Sequence, residues 1–436
     1  MASSGSGVRA AGDFCFVHAA DLHLDTPFKG IGETAPHVAT ALREASLDAL
    51  DNLVELCLDR KAAFLIVAGD VYDGTERGIR AQLRFHDGLR RLSDAGVWTF
   101  VVHGNHDPIE AGWSAIQSWP ERVRVFSSGE VGVAVVGEPE APLAVVQGIS
   151  YWRRDVTENL ARRFSRQPAS SFQVGVLHCN VSGAAEGHDD YSPCSLDDLR
   201  RSGLDYWALG HIHTRMVLSG RPHGEEPWIV YPGNLQARSA KAAERGAKGA
   251  VVVEVVDGRV AGADFVACDL VRYAAVDIDA SHLGSLENVR DACTEAARDE
   301  LEAAGGRSIL LKGHLFGRGA AHEQLRRPAA LEELLLALRA DAGSSVPFCW
   351  WDRIEDKTGS MLDLEQMANE SDFTADLIEL ARHLRAADAP FDPDLLEEIT
   401  SGLPKDLRAR AAAQATAELL EHGLTVALGD LATDST

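Results

Sequence analysis

VWTFVVHGNHD, residues 97–107, is a β-prone apolar run that breaks off into histidine, asparagine and aspartate. Such a run reads as a buried strand whose carboxyl end opens into a polar loop. Upstream, FLIVAGD (64–70) and FCFVHAAD (14–21) have the same form. Helical spacings lie between them: Val38, Leu42, Leu50, Leu53, Val54 and Cys57 within 37–60, then Ile79, Leu83, His86, Leu89 and Leu92, closed by Gly96. Strand, helix, strand, helix, strand predicts an α/β layered fold. Downstream, the pattern turns β-rich: VRVF (123–126), VGVAVVG (131–137), LAVVQGIS (143–150), FQVGVLHCN (172–180), DYWALGHIH (205–213), WIVYPGN (228–234) and GAVVVEVVDGRV (249–260). GEPEAP (137–142) reads as a turn, and Asp257-Gly258 as a hairpin. Two sheets with flanking helices are the natural packing.

From residue 271 the pattern changes. RYAAVDIDA (272–280) and SILLKGHLFG (308–317) read as strands flanking a helix near 284–304, with another helix near 329–340. From about 363 the spacings are helical, ending in an Ala/Leu-rich stretch at 409–427. The expected organisation is a first domain at 1–270, an α+β module at 271–345 and a mainly helical region at 346–436. No internal repeat and no heptad seam is seen.

The 436 residues are 45% apolar and 25% charged, which excludes a disordered or fibrous chain. No stretch of about 18 apolar residues offers a transmembrane helix. MASSGSGVRAAG has no apolar segment and is not expected to act as a Sec signal, and with Ala2 where N-myristoylation needs a glycine, that anchor is not expected either. Seven scattered cysteines without a CxxC fit reduced thiols, so a cytoplasmic location is expected. The net charge of −24 argues against a nonspecific grip on nucleic acid. Residues 1–270 carry 35 acids and 26 bases (net −9), and residues 271–436 carry 31 and 16 (net −15).

Five segments put His, Asp or Asn just after an apolar run: Asp21-Leu22-His23, Gly69-Asp70, Gly104-Asn105-His106-Asp107, His178 and Gly210-His211-Ile212-His213. Loops at strand carboxyl ends are where α/β sheets build sites. One sheet edge would gather Asp21, His23, Asp70, Asn105, His178, His211 and His213. Imidazole, carboxylate and amide oxygen without thiolate suit Mn, Fe or a similar divalent ion rather than a structural zinc. Seven ligands suit two ions sharing one carboxylate, a centre that clamps a phosphoryl group and activates water. Each segment alone has an ordinary reading, as a turn, a polar loop or a satisfied interior histidine. Their ordered conjunction carries the argument.

That order, D-x-H, G-D, G-N-H-D, H, G-H-x-H over residues 21–213, resembles the calcineurin-like metallophosphoesterases. The resemblance implies a four-layer sandwich, with two mixed β-sheets flanked by helices. It places one ion on Asp21, His23, His213 and the shared Asp70, and the other on Asp70, Asn105, His178 and His211. His106 becomes the nonligating acid that protonates the leaving oxygen, and Asp107 the group that orients it. Attack would come from a hydroxide bridging the metals.

The stretches between the motifs, including HAADLHLDTPF (18–28), VAGDVYDG (67–74) and WIVYPGNLQARS (228–239), are similar to the SbcD/YhaO-type DNA repair exonucleases over about 1–270. The module after 271 resembles their small capping domain. The resemblance implies DNA ends as substrate and two divalent ions, Mn²⁺ foremost, with Fe²⁺, Mg²⁺ and Zn²⁺ as alternatives. It further implies an SbcC-type coiled-coil ATPase as partner, and pairing into a homodimer. Two departures stand out. Ala237-Arg238-Ser239 replaces the usual Gly-Arg-His, and the following Glu-x-Gly-x-Lys-Gly is displaced to Glu244–Gly249. Arg238 and Lys241, directly after a motif turn, are candidate substrate contacts. Trp113 and His188 are weaker cleft candidates, and Cys-Trp-Trp-Asp at 349–352 has no assigned function. A small-molecule phosphodiesterase or phosphatase is the alternative. A noncatalytic scaffold is disfavoured by the complete ligand set.

Overall fold

The computed structural model describes residues 12–26, 35–74, 78–110, 114–138, 140–168, 171–183, 191–342, 346–359, 375–379 and 382. Its first half winds as the apolar runs predict. Strands β1 (Phe14–Ala19), β2 (Phe64–Ala68), β3 (Trp98–Val102) and β4 (Val123–Val125) pair in parallel. Parallel neighbours need long crossovers, which helices α1 (Pro36–Asp59) and α2 (Ile79–Asp94) supply. A second set follows: β5 (Gly132–Glu138), β6 (Ala141–Gly148), β7 (Phe172–His178), helix α3 (Leu196–Arg201), β8 (Tyr206–Gly210), β9 (Met216–Ser219) and β10 (Trp228–Tyr231). The chain then returns through the hairpin β11 (Gly249–Val256) and β12 (Arg259–Ala267). Asp257 and Gly258 turn it with φ of 52° and 71°, as the Asp-Gly pair predicts.

Two mixed six-stranded sheets result, in the orders β12-β11-β1-β2-β3-β4 and β5-β6-β7-β8-β10-β9. Between them lies an aromatic core. Phe16 stacks on Phe64 at 4.7 Å and meets Tyr206 edge-on at 5.1 Å. The outer face of the first sheet packs on α1 and α2 through Leu50, Leu53, Val54, Phe85 and Leu89. Sheets covered on both faces explain why β1, β2, β7, β8 and β10 read as near-continuous apolar runs.

One helix face differs from expectation. Ile79 and Leu83 stand 58% and 51% exposed, while α2 buries Ala81, Gln82, Phe85, Gly88, Leu89 and Leu92. The small residues set the contact: a Cβ at Gly88 would lie 3.2 Å from Val54 Cγ2 of α1. A count of large apolar residues misses such a seam. The arginines on this helix are structural, since Arg80, Arg84 and Arg91 pair with Glu44, Asp51 and Glu55 of α1.

The chain divides into two compact units. The larger holds the described residues up to Ala275 with Ala297–Lys312 and the stretch through Asp352. The smaller holds Val276–Ala296, Gly313–Asp341 and the described residues from Arg353. Strands β13 (Val271–Asp279), β14 (Ser308–Arg318) and β15 (Cys349–Gly359) form a three-stranded sheet in that order. Helices α4 (Leu286–Ala303), α5 (His322–Leu325) and α6 (Ala330–Asp341) accompany it. β15 was not foreseen, and it lies past residue 345, where the sequence pattern closed the α+β module. It accounts for the Cys-Trp-Trp-Asp run, whose Cys349, Trp350 and Trp351 are buried. The helices expected at 363–427 lie outside the described residues, save 375–379 and 382. Among the described residues no helix is long and apolar enough to cross a membrane, and the seven cysteines are buried thiols.

Candidate metal centre

The loops after β1, β2, β3, β7 and β8 converge. Backbone bonds zip the first two together: Asp21 N–H donates to Gly69 O at 3.0 Å, and His23 N–H to Asp70 O at 3.0 Å. This holds Asp21, His23 and Asp70 in the left-handed region, at φ of 51°, 44° and 49°. Such strain costs on the order of 1–3 kcal/mol per residue and persists where surrounding bonds over-determine it, often at functional sites. The glycines of the motifs now have a reason. A Cβ on Gly210 would sit 1.8 Å from Ala68 O, and one on Gly104 would sit 2.3 Å from Asp70 Oδ1 and 2.8 Å from His178 Nε2. We therefore expect Gly104→Ala to fold but to bind fewer than two divalent ions per chain, as read by metal analysis of the purified variant.

All seven candidate ligands come together, and six of them are at most 8% exposed. His178 Nδ1 lies 3.0 Å from Ala68 O, to which it donates. Its Nε2 is thereby aimed at Asn105 Oδ1 (3.0 Å) and Asp70 Oδ2 (3.4 Å). His213 Nδ1 meets Glu244 Oε1 at 2.7 Å, and His23 Nδ1 lies 3.3 Å from Asp73 Oδ1. With its Nδ1 turned toward Glu244, His213 brings Nε2 to 3.2 Å from His23 Nε2, while His23 Nδ1 lies near both Asp73 Oδ1 and the Arg238 guanidinium. Two ring nitrogens so opposed suit a cation between them, and a carboxylate-backed imidazole such as His213 is the usual form of a metal ligand. Asp70 Oδ2 reaches both groups, 3.8 Å from His23 Nε2 and 3.4 Å from His178 Nε2. His211 completes the wall. Its N–H donates to Asp21 Oδ1 and Oδ2 at 3.1 and 3.0 Å, and its ring meets those of His178 and Tyr191 edge-on. Donor atoms within 4.8 Å of one another fall into three sets, Asp21–His23–His213, Asp21–Asp70–His178 and His23–Asp73–His106. These residues fit two divalent ions, for which Asp21 and Asp70 are the carboxylates within reach of both groups.

The electrostatics agree. Burial pushes the Asp21 carboxyl up to about 6, against the pull of His178 and His213. Burial also opposes ionisation of Asp70, yet His178 and His23 hold it well below the usual carboxylate range. Burial likewise works against a charged His178, but Asp70 and Asp21 raise it to about 9. His23 falls to about 4, through burial and the nearby Arg238. A divalent ion bound here would take the place of the proton that Asp70 and His178 compete for.

His106 stands at the open side, its side chain 31% exposed, with its N–H on Asp70 Oδ1 at 2.9 Å. Its orienting partner is not the one expected from sequence. Asp107 accepts from Val71 N (3.0 Å), Gly104 N (2.9 Å) and His103 Nδ1 (2.8 Å), which shapes the loop from inside. The carboxylate facing His106 Nδ1 belongs to Asp73, at 3.2 Å. That contact, its largest influence, raises the His106 pKa. Asp73 also pairs with Arg238, whose Nη1 lies 3.1 Å from His23 Nδ1. Burial opposes its ionisation, but His106, His23 and Arg238 keep it strongly ionised.

Asp73 and Glu244 are the residues that the sequence motifs do not reveal. Asp73 is visible only as the third residue after Asp70. Glu244 sits in the displaced Glu-x-Gly-x-Lys-Gly run, and it is buried and accepts from His213, Asn234 Nδ2 (2.7 Å) and Arg238 N (3.2 Å). Burial works against its charge, yet His213 and Asn234 bring it down to about 2. Lys248 of the same run donates to His213 O and Ala243 O at 2.9 and 2.7 Å. Glu244→Gln should weaken binding of the ion held by His213 by about 10–100-fold, the usual cost of losing such support, as measured by calorimetric metal titration. Arg238 and Lys241 line a cleft of ≈ 640 Å³ over Asp70, Asn105, His106, His211 and His213. Trp113 and His188 lie outside the described residues.

Comparison with known proteins adds lineage. Residues 15–215 match the family model of the calcineurin-like phosphoesterases, and 273–359 match the middle domain of metallophosphoesterase YhaO. The chain is 34% identical over 359 residues to the uncharacterized metallophosphoesterase YhaO of Bacillus subtilis (strain 168), covering 81% of this chain and 84% of that one. It is 28% identical over 229 residues to the DNA double-strand break repair protein Mre11 of Aeropyrum pernix, covering 50% and 53%. It is 24% identical over 240 residues to a subunit of the nuclease SbcCD of Escherichia coli (strain K12), covering 48% and 58%.

Proposed function

Since the chain belongs to the calcineurin-like metallophosphoesterases, in their YhaO-type branch, we propose that it is a Mn²⁺-dependent DNA nuclease that works on strand ends. Hydrolysis rests on one observation, the Nε2 atoms of His23 and His213 facing each other at 3.2 Å beside an ionised Asp70. The choice of DNA is supported by the sequence relation to Mre11 and to the nuclease SbcCD. It is also supported by a cleft whose rim carries Arg154, Arg238 and Lys241 in an otherwise acidic chain. The same relation supports an SbcC-like ATPase as partner.

Asp21, His23, Asp70 and His213 would hold one ion, and Asp70, Asn105, His178 and His211 the other. When bound, such ions polarise phosphoryl oxygens and lower the pKa of water. The protein's own part lies in His106. Asp73 accepts from its Nδ1 and favours the charged ring, so Nε2 presents a proton at the mouth of the cleft. A departing sugar alkoxide needs that proton, because it leaves poorly without one. The bond from His106 N to Asp70 fixes the acid one residue from the ligand Asn105. Arg238, clamped by Asp73, adds a fixed positive charge facing the phosphate.

The test is a parallel assay with Mn²⁺ on linear double- and single-stranded DNA and on bis-p-nitrophenyl phosphate. Cleavage of DNA by the wild type, lost in His106→Ala, supports the nuclease. Cleavage of the aryl diester alone overturns it in favour of a small-molecule diesterase.

A further inference from the structure

Most charged groups at the cleft are already matched. Asp73 answers His106 and Arg238, and Glu244 answers His213. Two cations on its lining differ. Arg154 and Lys241 are exposed, and among the described residues neither has an ion-pair partner. They come from different loops. The loop of Arg154 is bound to the loop of Asn105 and His106: Tyr151 N–H donates to His103 O at 3.0 Å, Ile109 N–H to Tyr151 O at 2.9 Å and Glu110 N–H to Trp152 O at 3.2 Å. The loop of Lys241 is bound to His213 through Glu244 and Lys248. Each cation therefore rides on the backbone that carries a different half of the metal centre. A single diester would occupy the centre between them and leave both without a counter-charge. A strand crossing the cleft would bring one phosphate to each.

We infer that Arg154 and Lys241 hold the phosphates on either side of the scissile one, so that the cleft selects a polynucleotide strand over an isolated diester. This rests on the nuclease reading above. Each cation is then worth about one counterion in binding, and removing it should make log kcat/KM on a single strand less salt-dependent by about 0.7.

The experiment compares kcat/KM for the dinucleotide TpT, which has no flanking phosphate, with that for a short oligothymidylate across a salt series. The wild type should prefer the longer chain. Arg154→Ala and Lys241→Ala should each cut that preference about tenfold, the loss expected for one charge-assisted contact, and flatten the salt slope. Arg154→Lys should restore the slope, and Arg201→Ala, a surface change outside the cleft, should leave it as in the wild type. An undiminished length preference and slope in both alanine variants would overturn the inference while leaving the nuclease standing. A wild type that cleaves bis-p-nitrophenyl phosphate but no thymidylate removes the nuclease reading, and this inference with it.

Discussion

Asp70→Ala is expected to abolish binding of both divalent ions and to lower hydrolysis of any phosphodiester by about 10³-fold or more, since metal activation supplies several kcal/mol of transition-state stabilisation. The expectation follows from position. Asp70 Oδ2 is the oxygen that reaches both His23 Nε2 and His178 Nε2, while Oδ1 is engaged by the His106 N–H. Asp21 also belongs to both donor groups, but its two oxygens already accept the His211 N–H, so it is less well placed to take over. The fold should survive, because the zipper between the 21–24 and 69–72 loops is made of backbone atoms. His178 owes its raised pKa to Asp70 foremost among its neighbours, so in the variant it returns toward neutrality instead of leaving a buried charge unpaired. Metal content and melting temperature measured on one preparation decide the matter. Two ions retained per chain would show that Asp70 is not the shared ligand. Loss of the folded transition would show that the carboxylate is structural. Asp70→Asn should lie between wild type and alanine, because it keeps an acceptor for His106 but loses the charge.

The sequence shows more of this site than of its support, for a physical reason. Strands buried on both faces are written as near-continuous apolar runs, so the residue after each run announces the sheet edge. That made Asp21, Asp70, Asn105, His178, His211 and His213 readable. The motif glycines were readable as turns, though their reason is crowding: at Gly104 and Gly210 a Cβ would meet Asp70, His178 or Ala68. Asp73 and Glu244 carry no such mark. They are ordinary loop acids until folding brings them to Nδ1 atoms of His106, His23 and His213. Asp107 misled in the opposite way, since adjacency to His106 in sequence places its side chain on the inner, His103 side of the loop. β9 is short and half-exposed, and β15 runs into charged residues after its tryptophans, so neither shows the apolar run that marks the other strands.

His106→Asn should separate the acid from the metals. We expect two ions still bound and a loss of about 10²–10⁴-fold on DNA, the range typical of removing a positioned acid. The loss should depend on the leaving group. A nitrophenolate departs without a proton, so the variant should lose far less on bis-p-nitrophenyl phosphate than on an oligonucleotide. Asp73→Asn supplies the second half of the argument. Its carboxylate touches His106, His23 and Arg238, so its removal weakens the acid and loosens a metal ligand together. Its deficit on DNA should therefore shrink at high Mn²⁺, as the metal component is restored, and level off at the part due to His106. A His106→Asn deficit equal on both substrates would mean that His106 only stabilises charge at the phosphate and transfers no proton. An Asp73→Asn deficit fully recovered by Mn²⁺ would confine Asp73 to the support of His23.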